Sequence, residues 1–159
     1  MNQSLHTLNR SWYRVIGLLA LCALAGCAIT RPIDAGDPSP RLSSCPPLPN
    51  CVSTEASTFL HRVSPFELIV SADDAWPVVK RAVAAMPRTT IVVERPGYLF
   101  AKCHSAVFHF VDYLEVLSIP EKGTLAVRSS SLLGISDLGV NYFRVKRLRE
   151  ELKKQGVIK

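Results

Sequence analysis

Residues 89–104 read TTIVVERPGYLFAKCH, and this stretch decides the fold. Thr89 to Glu94 and Tyr98 to His104 are rich in β-branched and aromatic side chains, and Arg95-Pro96-Gly97 places a Pro-Gly turn between them. So short a connection returns the chain antiparallel, because a parallel crossover needs a dozen or more residues. Working outward, Val107 to Ile119 and Thr124 to Ser131 form a second pair of strands joined by Pro120-Glu121-Lys122-Gly123. Upstream, Phe66, Leu68 and Val70 alternate with Glu67, Ile69 and Ser71, the pattern of a short strand. Asp73-Asp74 then opens a helix, with Pro77 expected in its first turn, where the missing amide costs nothing. Trp76, Val79, Val83 and Met86 give this helix one apolar stripe opposite Lys80 and Arg81, and Pro87 ends it. A last helix is expected from about Leu138 to Lys154. Leu138, Val145, Leu148 and Leu152 should face inward, and Arg144, Lys146, Arg147, Arg149, Glu150 and Lys153 outward. The order strand, helix, four strands, helix predicts an α+β domain: an antiparallel meander of four to five strands packed on one face by two helices.

Register follows from aligning the apolar faces of the last two strands. Val116 then pairs with Val127, Ser118 with Leu125, and Glu115 opposes Arg128, an ion pair that contributes at most about 1 kcal/mol if it is exposed. The same alternation puts Asp112 on the face of Phe108, Phe110 and Leu114, where a carboxylate is costly unless donors reach it, and beside Ser129 or Ser131.

The beginning of the chain has a different character. Arg10 and Arg14 precede an apolar run from Val15 to Leu24, and Leu24-Ala25-Gly26-Cys27 follows. This resembles a bacterial lipoprotein signal: a charged start, an apolar segment too short to span a bilayer, and a lipobox. The resemblance implies that residues 1–26 are removed and that Cys27 carries a diacylglyceryl thioether and an acylated amine, a nearly permanent anchor. Ala28, where an aspartate would signal retention, resembles the pattern sent to an outer rather than an inner membrane. Six prolines between Ala28 and Asn50 prefer extended chain, so residues 27–60 are read as a tether and 61–159 as the domain.

Of the formal charge of +6, Arg10 and Arg14 leave with the signal, so the mature chain carries +4. That modest excess, with no basic and aromatic interleaving, argues against a nucleic-acid partner. Five cysteines reduce to Cys45, Cys51 and Cys103 once Cys22 leaves with the signal and Cys27 is lipidated. Three pairings are open in an oxidising envelope. Cys45 with Cys51 is favoured, because the proline-rich turn keeps them close, and such a small loop would contribute about 2 kcal/mol. Metal binding is the rival, but Cys-x5-Cys without a histidine pair is a poor zinc spacing, so no metal and no cofactor are expected.

From Cys45 onward the chain resembles the family called domain of unknown function 1499. The pieces that carry the resemblance are Cys45-Pro46 with Pro49-Asn50-Cys51-Val52-Ser53, Phe110-Val111-Asp112-Tyr113-Leu114-Glu115, Arg128-Ser129-Ser130-Ser131, and Gly134 to Asn141 leading into Arg144. It implies a shared fold, not a mechanism. The family commonly shows two adjacent aspartates where this chain has Asp112-Tyr113, so a role that needs both is not carried over.

Two candidate sites follow from the residues. Cys103 and His104 suggest a thiol and imidazole dyad, but neighbours on a strand point to opposite faces, so they cannot meet unless a bulge intervenes. The segment Arg128 to Asn141 concentrates Arg128, Ser129, Ser130, Ser131, Ser136, Asp137 and Asn141 around Gly134 and Gly139. A polar loop at a helix N-terminus can hold an anion, and Arg128 could clamp it. The structural alternative is that Ser136 or Asp137 caps the helix and Asn141 ties down the loop. The basic outward face of the last helix could meet anionic lipid, but Glu150 and Glu151 make it an ordinary solvated face.

These features predict a membrane-anchored cell-envelope protein on the periplasmic side. Its expected work is non-enzymatic, binding an envelope protein partner or a small anion at the 128–141 loop. The alternative is a hydrolase or transferase that uses Asp112 with serines of the 128–137 loop.

Overall fold

A computed structural model describes residues 30–37, 40–106 and 109–159. The expected signal, Cys27, Ala28 and Phe108 lie outside the described residues. The elements are β1 (Cys51–Ser53), β2 (Phe66–Glu67), α1 (Ala72–Ala84), β3 (Thr89–Arg95), β4 (Tyr98–His104), β5 (Val111–Ile119), a 3-10 turn (Pro120–Lys122), β6 (Thr124–Ser131) and α2 (Val140–Lys154). Among the described residues the sheet has six strands in the order β1-β6-β5-β4-β3, with β2 also pairing β6, and every pairing is antiparallel. The expected α+β class, with two helices on an antiparallel sheet, is what the chain adopts.

Register is as the alternation requires: Val116 opposes Val127, Ser118 opposes Leu125, Glu115 opposes Arg128 and Asp112 opposes Ser131. On the helix face Leu99, Ala101, Leu114, Val116, Leu125 and Val127 pack against Val79, Val83, Val145, Leu148 and Leu152, all of them buried. This continuous apolar layer is the main term holding the domain together.

Four local expectations are corrected. Helix α1 is capped by Ser71, whose Oγ accepts from the Asp74 amide at 3.1 Å, and not by an aspartate. Pro77 therefore sits in the second turn, where it removes the amide that would bond the Asp73 carbonyl. Both residues are exposed, so water can take that carbonyl. Strand β5 begins at Val111 and not at Val107. Helix α2 begins at Val140, and Leu138 is 91% exposed rather than inward. The cause is Asp137, whose carboxylate accepts from the Gly139 and Asn141 amides at 3.0 and 2.7 Å and bends the chain before the helix can start. Last, Arg144 and Arg149, expected outward, are half-buried. Arg149 lies 4.0 Å over the Phe66 ring and donates to the Ser64 and Pro65 carbonyls.

The largest correction concerns residues 27–60, read as a tether. Cys51–Ser53 is a strand of the sheet, and Thr30, Leu42 and Asn50 are buried. Leu42 joins Tyr98, Phe100, Leu117 and Ala126 in a second apolar cluster, with Ile33 packed against it, on the face of the sheet away from the helices. The extended chain is fixed there by isolated bonds. The Ile33 amide donates to Tyr98 Oη at 3.2 Å, Arg95 donates to the Ile33 carbonyl at 2.5 Å, and the Leu42 amide donates to Glu55 at 3.1 Å. A disulfide joins Cys45 to Cys51, the favoured pairing, with a Cα separation of 5.6 Å.

Candidate functional site

Strand alternation splits the expected site in two. Ser129 and Ser131 point to the helix side of β6, and Arg128 and Ser130 to the other side, so Arg128 cannot clamp a ligand held by the 132–139 loop.

On the far face, Arg128 Nη1 donates to Glu115 at 3.0 Å and to Thr30 Oγ1 at 3.0 Å, with both members of the ion pair almost fully enclosed. Tyr98 Oη donates to the other Glu115 oxygen at 3.1 Å, and Thr30 lies 3.1 Å from Ser130 Oγ. Burial pushes the Glu115 carboxyl up and the Arg128 guanidinium down, and their mutual attraction opposes both shifts. The Tyr98 phenol is raised well above its ordinary value, first by burial and then by the Glu115 charge. The pair is where register placed it but is buried, not exposed, because chain from before residue 43 covers it.

On the helix face, Asp112, Ser129, Ser131, Asn141, Arg144 and Asn50 come together. Arg144 donates to Asp112 at 2.5 Å, to Asn141 Oδ1 at 2.5 Å and to Ser129 Oγ at 3.0 Å. Ser129 Oγ donates to Asn141 Oδ1 at 2.7 Å. The Asn141 amide group donates to the Asn50 carbonyl and to Ser131 Oγ, each at 3.0 Å. Asn50 in turn donates to the Gly134 carbonyl at 2.6 Å and holds the loop down. Asn141 is a hub that joins β6, the 132–139 loop, α2 and the segment before β1, and it is fully buried. The donor expected to reach Asp112 is therefore Arg144, one turn along α2 from Asn141.

This arrangement is occupied by its own members. The amides at the start of α2, which could have taken an anion, are filled by the Asp137 carboxylate. Ser136 is exposed, and its Oγ accepts from the Leu138 amide at 3.3 Å. Asp112, the carboxylate of the hydrolase or transferase reading, is engaged by a guanidinium, and the bonds described for Ser129 and Ser131 include no histidine. Cys103 is buried opposite Asp112, its thiol raised by burial, and accepts from Thr89 at 3.4 Å, whereas His104 is half-exposed on the other face. Among the described residues no group of three His, Cys, Asp or Glu side chains could hold a metal ion.

Residues 41–152 match the family model described as Protein of unknown function (DUF1499). The chain belongs to the DUF1499 family. No curated protein and no solved structure matches the chain. The DUF1499 match starts just before Leu42 and ends at Leu152 of the core, so it takes in Cys45, Cys51, Asn50, Asp112, Asn141 and Arg144. The polar hub is thus part of the DUF1499 domain, while Thr30 and Ile33, which cover its far face, precede it.

Sequence reasoning missed Asn50, Arg144, Thr30 and Tyr98 as members of these networks. For Arg144 a signal was present: it follows Asn141 by three residues, the spacing of one helical face, and the buried Asp112 needed a cation. For Thr30 there was none.

Above the hub the surface changes. A shallow cleft of about 160 Å³ lies between Ser105, Phe110, Asp112, Leu133, Asp137 and Val140. Leu133 and Ile135 are each 57% exposed, and Leu138 of the same loop is 91% exposed.

Proposed function

We propose that this protein is a lipid-anchored cell-envelope protein, carried by Cys27, whose domain is a non-enzymatic binding module that works through the surface of the 132–138 loop. The observation that carries this reading is the consumption of the polar residues within the fold. Asp112, Ser129, Ser131, Asp137 and Asn141 bond one another, Arg144 and the backbone, and what the loop offers outward is Leu133, Ile135 and Leu138. A polar base whose side chains bond mainly to one another, with only Asn50 Oδ1 buried and without a partner, is suited to holding an apolar loop outward for recognition. The anchor rests on Leu24-Ala25-Gly26-Cys27, and Ala28 favours the outer membrane of a cell that has two.

The anchor and the module are tested together by fractionation and mass spectrometry of the full chain produced in a bacterium. The expected protein is in the membrane fraction, starts at Cys27 and carries a diacylglyceryl thioether and an amide-linked acyl chain, while Cys27→Ser leaves that fraction. An intact Met1, or a lipid-free chain cut elsewhere, would overturn the anchor. Steady turnover of an envelope substrate that is lost in Asp112→Asn at unchanged melting temperature would overturn the non-enzymatic module.

A further inference from the structure

Thr30 is the observation with the longest reach. Its hydroxyl is bonded to Arg128 and Ser130 near the end of β6, and the residue is buried. Cys27 is three residues upstream, and three residues of extended chain span at most about 10 Å. A lipid on Cys27 therefore enters the bilayer within about that distance of the Ser130 end of the sheet. Ile33 and Leu42, which follow Thr30, also pack against the sheet, so the chain is already held to the domain from Thr30 onward.

The same end of the sheet carries the apolar loop. The 132–138 loop leaves β6 directly after Ser131, and the Leu132 amide bonds the Val111 carbonyl at the start of β5. Leu133 is three residues on from Ser130, which puts it at most about 10 Å away. Leu138 is 91% exposed, Leu133 and Ile135 of the same loop are each 57% exposed, and Phe110 lies at the same end. Exposed basic or imidazole side chains flank this end: Arg31 next to Thr30, Arg88 at the start of β3, and His109 before β5. The opposite end carries the turn through Glu121 and Lys122 and the Lys159–Glu67 ion pair beside the exposed Ile69, and the eight residues of β6 hold it roughly 25 Å away.

We infer that the occupant of the 132–138 surface is the lipid leaflet that holds the Cys27 acyl chains: the domain sits against the membrane with Leu133, Ile135 and Leu138 in the interfacial layer. This inference rests on the lipidated reading proposed above and names the partner of that same loop. The apolar side chains gain by leaving water at the interface, and the flanking cations face anionic headgroups. The domain then has one orientation, with the Glu121–Lys122 turn pointing away from the bilayer.

The test uses the full chain produced in a bacterium, purified in detergent, verified by mass and reconstituted into phosphatidylethanolamine and phosphatidylglycerol vesicles that contain nitroxide-labelled lipid. Ile135→Trp reports on the loop, and Leu138→Trp replaces it if Ile135→Trp does not fold. Ile69→Trp, 54% exposed and on the chain next to Leu68, which bonds Gly123 at the opposite end, is the control. The emission added over the wild type is expected to be quenched several-fold more at position 135 than at position 69, with a blue shift at 135 alone. Equal quenching at both positions, or none at 135, in a protein of lipidated mass overturns the seating and leaves the anchor intact. A mass without lipid overturns the anchor and the seating together.

Discussion

Arg128→Ala is expected to lower the unfolding free energy by about 3–5 kcal/mol at neutral pH, the cost of leaving one member of a buried ion pair without its partner. Glu115 is fully enclosed and would keep only Tyr98 as a donor. Its carboxyl is raised by burial in the wild type, and without Arg128 it would rise further. A group whose folded pKa is raised binds more protons in the folded state than in the unfolded one. Its penalty is therefore small below the unfolded value and grows as pH rises through the folded one. The loss in Arg128→Ala should accordingly be smaller at pH 5 than at pH 7.5, as urea denaturation at the two values would show. A double variant, Glu115→Leu with Arg128→Met, removes both charges and should recover most of the loss. Equal losses at both pH values would mean that Glu115 finds water once Arg128 is gone.

The second large effect is expected at Asn141. Asn141→Ala removes two donors, to the Asn50 carbonyl and to Ser131, and the acceptor that Arg144 and Ser129 share. Several buried polar groups then lose partners at once, and at about 1–3 kcal/mol for each unsatisfied group the loss should be roughly 3 kcal/mol after relaxation. The effect should be local as well as global. Hydrogen exchange should speed up first at Ser131, whose amide bonds the Asn50 carbonyl, and at Asp137, whose amide bonds Pro49. A urea midpoint within error of the wild type would remove Asn141 from its place as hub.

What could be read in the sequence was what depends on short-range pattern. The 89–104 hairpin and its partner at 111–131 were legible because a two-residue period and a short turn leave little freedom, and register followed from keeping Val116 and Val127 on the core side. Glu115 opposite Arg128 came from the same arithmetic. The burial of the pair did not, because Thr30, which helps to enclose it, is 98 positions before Arg128 in the chain. Residues 30–42 looked like a tether because proline-rich chain with few apolar residues cannot form a core alone. It can still complete one, and Ile33 and Leu42 do so one side chain at a time. At the candidate site the right residues were gathered, but their allegiance was not visible. Alternation alone separates Arg128 from Ser129. Asp137, expected with Ser136 as a possible cap, lies two residues before the cap residue Gly139 and accepts from the Gly139 and Asn141 amides.

In the proposed binding module Asp112 is a structural acceptor for Arg144, and the polar hub supports the surface above it. A double-mutant cycle of Asp112→Ala and Arg144→Ala, read by urea denaturation, tests it most directly. Each single variant is expected to lose about 2 kcal/mol, and the two residues to be coupled by more than about 1 kcal/mol. Single variants as stable as the wild type, with no coupling between them, would contradict it.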